Sequence, residues 1–213
     1  MNAASPRRSG ERHCPGAAAI RWQGTELHLL PERALWLPST GLLLLADLHL
    51  GKAEAFQASG IPLPSDGDLV NLNRLLTLAH ALRPDRVVVL GDLIHSRLGL
   101  TSDLRQKLQA LPALLGCPLQ LIGGNHDSGS WLEGLPAEQP QAQGVLWLSH
   151  EPMRSPSPGL LNVCGHLHPV ALLGRGADRL RLPCFALDAA TAQLQLPAYG
   201  NLTGGHPCDP ALE

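Results

Sequence analysis

Aspartate, histidine and asparagine recur along this chain in five short blocks: Asp47-Leu48-His49, Gly91-Asp92, Gly123-Gly124-Asn125-His126-Asp127, Ser149-His150 and Gly165-His166-Leu167-His168. Carboxylate, amide and imidazole donors, with no cysteine in a ligand-bearing turn, suit manganese, iron or zinc and disfavour iron–sulfur chemistry. Alternate residues of an extended segment share a side, so Asp47 with His49, and His166 with His168, can each aim at one ion. Asp92, directly after a strand end, is placed to bridge two ions. Two divalent cations bring four positive charges and Asp47 and Asp92 neutralise two; the remainder matches a hydroxide plus a monoanionic phosphodiester. Two ions about 3.5–4 Å apart lower the pKa of a bridging water and clamp both oxygens of an in-line displacement. The chemistry expected is hydrolysis of a phosphate ester at a dinuclear site.

Each block follows a short apolar run: Leu42 to Ala46, Arg86 to Leu90, Leu119 to Ile122, Val145 to Leu148 and Leu160 to Cys164. Runs of this kind, closed by glycine or a polar residue, predict buried strands. Functional groups just past strand ends predict convergence on one edge of a sheet. Further strands are expected at Glu26 to Leu30, Arg33 to Leu37, Arg179 to Leu187 and Gln193 to Leu196. Gly51 to Pro64 reads as a long loop with at most a helical turn. Ser65 or Asp66 caps a helix reaching about Leu82, with Leu69, Leu72, Leu75, Leu76 and Ala79 facing the core. Ser102 or Asp103 caps a second helix that ends before Gly116. Ser128 to Gln143 reads as a connection with at most one turn of helix. Strands alternate with helices in the first half and dominate the second, which predicts an α/β fold of two sheets face to face with helices outside.

The length of 213 residues fits one domain, read as residues 17–200 between an N-terminal tail, 1–16, and a loose C-terminal tail, 201–213. Arg7, Arg8 and Arg12 read as solvated tail charges, with phosphate contact as the alternative. A net charge of -2 argues against a broadly basic nucleic-acid-coating surface. It does not exclude nucleic acid as substrate, because bound metals supply local positive charge. The N-terminus is not a signal peptide, and no stretch approaches the roughly 20 apolar residues that span a bilayer. Five cysteines, odd in number and without a CxxC pair, read as reduced thiols in a cytoplasmic protein. Cys164 reads as a buried structural thiol. His13, His28, His80 and His206 fall outside the blocks, and the four tryptophans suggest no stacking platform.

In order and spacing the five blocks resemble the calcineurin-like metallophosphoesterases, from Asp47 to His168. The resemblance implies a four-layer α/β/β/α sandwich of two mixed sheets flanked by helices, and two divalent metal ions, manganese first with iron or zinc as alternatives. It implies one ion on Asp47, His49 and His168, a second on Asn125, His150 and His166, and Asp92 bridging. His126 then stabilises or protonates the leaving group, or else orients a ligand; Asp127 reads as an orienting partner. His95 either contacts a phosphate oxygen or packs at its turn. Arg97 is a phosphate clamp or a solvated loop charge, and Lys52 a weak phosphate contact or a solvated loop residue.

The second block lacks the Asp-Arg-Gly of phosphoprotein phosphatases, and His95, three after Asp92, is similar to the double-strand-break repair nucleases of the superfamily. With Leu50-Gly51-Lys52, Gly60 to Pro64 and Leu196 to Gly200, the chain resembles the bacterial DNA ligase-associated metallophosphoesterases, a DNA damage response endonuclease group thought to act in repair beside a ligase and a helicase. That implies a phosphodiesterase with DNA as substrate. A small-molecule phosphoesterase for cyclic nucleotides or nucleotide sugars is the alternative. A non-catalytic protein-binding scaffold is the third, disfavoured by the presence of His126.

Overall fold

The computed structural model describes residues 15–127, 132, 134–174 and 178–208. Arg7, Arg8, Arg12, Cys14, Trp131, the N-terminal tail up to residue 14 and residues 209–213 lie outside the described residues. The run of leucines becomes β4 (Leu42–Leu45), buried at every position. A strand sends neighbouring side chains to opposite faces, so an unbroken apolar run needs cover on both. Leu43 and Leu45 pack with Leu72, Leu75 and Leu82 of α2 (Gly67–Leu82) and Leu104, Leu108 and Leu111 of α3 (Ser102–Leu115). Leu42 and Leu44 pack instead with Leu146, Leu148, Leu161 and Val163. In β5 (Arg86–Leu90), Val87 and Val89 face the helices while Val88 and Leu90 face the other way.

The first sheet runs in chain order: β1 (Ala18–Trp22), β2 (Thr25–Leu30), β3 (Ala34–Leu37), β4, β5, β6 (Leu119–Ile122) and β7 (Ala137–Glu138). It is antiparallel as far as β4 and parallel beyond it. The second sheet has β8 (Gln141–Gln143) at one edge, then β9 (Leu146–Leu148) and β10 (Leu161–Cys164), and ends with β14 (Gln193–Gln195) and β13 (Ala186–Asp188). A small third sheet joins β12 (Leu180–Pro183), β11 (Pro169–Leu173) and β15 (His206–Pro207). The fold is the expected α/β sandwich of two mixed sheets packed face to face. Its three described helices, α1 (Lys52–Ala58), α2 and α3, all precede β6. Among the described residues no helix is long and apolar enough to cross a membrane.

Several local expectations are corrected. Arg179 to Leu187 is not one strand: β12 and β13 belong to different sheets, and the break follows Pro183, whose nitrogen has no proton for a ladder. The loop assigned to Gly51 to Pro64 contains a two-turn helix, α1, built from the strong helix formers Lys-Ala-Glu-Ala-Phe-Gln-Ala. Thr101, not Ser102 or Asp103, caps α3, its hydroxyl accepting the Leu104 N–H at 3.2 Å. Leu69 is 50% exposed, and the buried stripe of α2 starts one turn later. Within the stretch read as a loose tail, His206–Pro207 pairs with Pro169–Val170. The described cysteines are free, although the Cys184 and Cys208 thiols approach to 3.4 Å. Cys164 is fully buried, which pushes its thiol up to about 12.

Helix α1 is docked by close backbone approach. A methyl group on Gly51 would collide with the Gly99 carbonyl, and one on Gly99 with the Gly51 carbonyl. Gly51 also has φ 74°, a conformation only glycine adopts without strain. Its N–H donates to Asp68 Oδ2 at 2.6 Å. Burial pushes the Asp68 carboxyl up to about 6, with the Glu54 charge adding to the rise and the Gly51 bond opposing it. Between the ordinary value and about 6 the folded chain holds a proton that the unfolded chain releases. This group therefore favours folding most below about pH 4, and that contribution is lost as pH rises through about 6. Asp68→Asn, which keeps an acceptor for Gly51, is expected to exceed the parent in stability at pH 8 by on the order of 1 kcal/mol, allowing for solvent screening of a part-exposed group. Urea unfolding at pH 4.5 and pH 8 checks this, and an equal gain at both would exclude ionisation of Asp68 as the cause.

Candidate metal centre

The ends of β4, β5 and β6 deliver Asp47 and His49, Asp92, and Asn125 with His126. The ends of β9 and β10 deliver His150, and His166 with His168. The groups therefore come from one edge of each of two facing sheets, not from one sheet alone. The segments carrying them are bonded to one another. Asp47 N–H donates to Gly91 O at 3.1 Å, His49 N–H to Asp92 O at 2.9 Å and Gly165 N–H to His150 O at 3.0 Å.

These segments are not extended, contrary to the Asp-x-His and His-x-His reading. Left-handed φ values occur at Asp47 (56°), His49 (48°), Asp92 (50°), His166 (69°) and His168 (49°). Aspartate and histidine tolerate this region better than most residues, yet each instance costs on the order of 1–3 kcal/mol. One consequence is that His166 and His168 part company. His168 Nε2 lies 3.3 Å from His49 Nε2 and 3.3 Å from Asp47 Oδ1. His166 Nδ1 lies 3.1 Å from His150 Nε2 and 3.2 Å from Asn125 Oδ1, which is itself 2.8 Å from His150 Nε2. Asp92 stands between the two groups, with Oδ2 3.8 Å from His49 Nε2 and Oδ1 3.5 Å from His150 Nε2.

Two donors on one ion, each at about 2.0–2.2 Å, lie roughly 3–3.5 Å apart, close to the 2.8–3.3 Å spacings within each group. The polar bookkeeping also fits cations. Asp47 Oδ2 accepts the His166 N–H at 3.0 Å, but Oδ1 is buried without a hydrogen bond, with His168 Nε2 3.3 Å away yet not bonded to it. A carboxylate oxygen in that position is costly unless a positive charge faces it. His150 Nδ1 donates to the Leu90 carbonyl at 3.0 Å, which leaves the Nε2 lone pair for an ion. Burial, then the neighbouring His168, holds His49 down to about 2, so its ring is neutral as a ligand must be.

Three glycines make the approach possible, and the sequence reading passed over their role. A methyl group on Gly91 would overlap the His150 ring, on Gly124 the Asp92 carboxylate and backbone, and on Gly165 the Asp47 carboxylate. Each glycine immediately precedes a ligand-type residue and packs on a ligand-type residue from a different strand.

Beside the cluster, His126 Nδ1 donates to the His95 carbonyl at 2.6 Å, so its free nitrogen is Nε2, 3.9 Å from Asp92 Oδ2. The His95 ring stacks on His126 with centroids 5.2 Å apart. Phe56 of α1, a residue that belongs to none of the motif blocks, stacks on His95 at 5.9 Å. Burial, then the Lys52 charge, lowers His95 to about 4. Lys52 is half-buried at the start of α1 and near enough to depress His49 as well. Arg97 is exposed in a 3-10 turn, Arg97–Gly99. Asp127 accepts the N–H groups of Leu93 at 3.1 Å and Gly124 at 3.0 Å, and so ties the second block to the third.

A family model described as Calcineurin-like phosphoesterase matches residues 41–179. The crystal structure of Pseudomonas putida nuclease MPE is similar, with a TM-score of 0.75 and 30% identity over 92% of this chain and 93% of that one. Among curated proteins no match is found. If one carboxylate serves both halves of the cluster, Asp92→Asn is expected to lower bound metal at both together, leaving less than about half the parent's content. Elemental analysis after reconstitution checks this, and full occupancy in the variant removes Asp92 as the bridge.

Proposed function

The chain belongs to the calcineurin-like phosphoesterase family and is a metal-dependent phosphoesterase; from that premise we propose that it is a nuclease cleaving DNA phosphodiester bonds in repair. The reading is supported above all by likeness to a nuclease along nearly the whole chain. In this reading Asp47, His49 and His168 hold one divalent ion, Asn125, His150 and His166 hold a second, and Asp92 joins them. Manganese heads the choice, with iron and zinc as alternatives for the same donors. Such a pair, when bound, lowers the pKa of a shared water and offsets charge on the phosphate.

The chain's own groups supply the rest. The His95 carbonyl fixes the Nδ1 proton of His126, so a second proton on Nε2 is the one available to the leaving oxygen. The His95 ring covers one face of His126, and Phe56 stacks in turn on His95. Lys52 adds positive charge on this side, and Arg97 on its exposed turn meets phosphate further along the strand. A DNA ligase and a helicase acting beside it in the cytoplasm complete the proposal.

Manganese-loaded protein is expected to hydrolyse both bis-p-nitrophenyl phosphate and a DNA oligonucleotide. Cleavage of the small diester with no cutting of DNA under manganese, iron or zinc would transfer the assignment to small-molecule phosphoesters. His126→Ala should retain its metal and lose about 10²–10⁴ in rate, the span of general acid–base help. Unchanged turnover in that variant takes the proton-donor role away from His126.

A further inference from the structure

Away from the metal cluster, three arginines from three different elements converge on the segment 198–205. Arg33, in the turn between β2 and β3, directs Nη1 to the carbonyls of Ala198 and Gly200, both at 3.4 Å. Arg74 of α2 donates to Asn201 Oδ1 at 3.2 Å and to the Tyr199 carbonyl, with its guanidinium 4.1 Å above the Tyr199 ring. Arg181 of β12 donates to the Gly205 carbonyl. Carbonyls orient these guanidinium groups but carry no compensating charge. Among the described residues none of the three is in an ion pair. Arg33 is half-buried, and both burial and the nearby Arg74 charge act against its protonated form. Arg33 and Arg74 disfavour each other's charge, and an anion beside them would relieve this.

Arg33 and Arg181 line one cavity of about 400 Å³, and its wall includes His168 and Asn201. Asn201 Oδ1 is engaged by Arg74, which leaves the amide N–H groups of Asn201 to donate. His168 also lies within 3.3 Å of Asp47 and His49, so this cavity adjoins the metal cluster directly.

We propose that this cavity binds a phosphate of the DNA strand flanking the phosphodiester held at the metal cluster. The proposal rests on the nuclease reading above and names a second contact for the same substrate. Guanidinium forks match phosphate oxygens in geometry as well as charge.

The test uses full-length, manganese-loaded protein and a fluorescently labelled single-stranded DNA oligonucleotide. Arg181→Gln and Arg33→Gln are each expected to raise Kd about tenfold. Each should also lower the slope of log K against log salt by about 0.7, the release expected for one phosphate on a single strand. Because bis-p-nitrophenyl phosphate has no flanking phosphate, the ratio of oligonucleotide to small-diester cleavage should fall about tenfold in each variant. Arg181→Lys, which keeps the charge, should restore the salt slope and so separates lost charge from damaged folding. An unchanged salt slope in both glutamine variants, or equal losses on the two substrates, overturns the subsite. A parent protein that hydrolyses the small diester but neither binds nor cuts DNA overturns the nuclease reading and this proposal with it, whereas a parent that cuts DNA alongside unaffected variants overturns the subsite alone.

Discussion

Two carboxylates, Asp47 and Asp92, are buried among imidazoles at the edges of two sheets, and one oxygen of Asp47 has no hydrogen-bond donor. In an environment poor in water, that oxygen is paired by a cation or it is a loss of several kcal/mol. The five left-handed residues around it add cost in the same place. The cluster is therefore costly without cations and gains stability when they bind. Metal affinity and folding stability draw on one free energy here, because the unfolded chain offers no preformed site.

What allows such a cluster to persist is the burial of the strands behind it. β4 and β5 are covered on both faces, by helices on one side and the second sheet on the other. Their ends cannot relax without disturbing both cores. The strained segments are then bonded to one another, Asp47 to Gly91 and His49 to Asp92, so each holds its neighbour in place. Gly91, Gly124 and Gly165 remove the side chains that would otherwise keep the strand ends apart. Rigidity behind and close approach in front together set the donor spacing.

The parts of this arrangement legible in the sequence are those where residue type alone carries the physics. Donor chemistry singles out the five blocks without coordinates, while the division into Asp47, His49, Asp92, Asn125, His150, His166 and His168 as ligands rests on the resemblance. Runs buried on both faces leave an unbroken apolar signal. By contrast, β7, β8, β11 and β15 are short and largely exposed on at least part of their length, so no periodicity marks them. The resemblance implied that His166 and His168 serve different ions, whereas the His-x-His spacing read as a strand put them on one side; the backbone there lies in the left-handed region, where the alternation of a strand does not apply. Phe56 was hidden because its partner, His95, is supplied by another segment. The arginines around residues 198–205 were hidden for a related reason: they bind main-chain carbonyls, which every residue has.

Positive charge on this chain is scarce and its distribution is informative. His95 contacts His49, with ring centroids 5.5 Å apart, and His49 contacts His168 at 5.2 Å. Lys52 acts on the first two of these rings, and Arg33 and Arg181 line the cavity that the third ring helps to wall. The row of contacts thus runs from Lys52, past the clustered imidazoles, to Arg33 and Arg181. A single small phosphate ester can occupy only one stretch of that row. A strand carrying successive phosphates can occupy all of it, and each phosphate then gains from a separate cation without competing for the metals. If the proposed nuclease activity holds, charge layout rather than net charge is what would favour a polynucleotide over a mononucleotide on a chain that is slightly acidic overall.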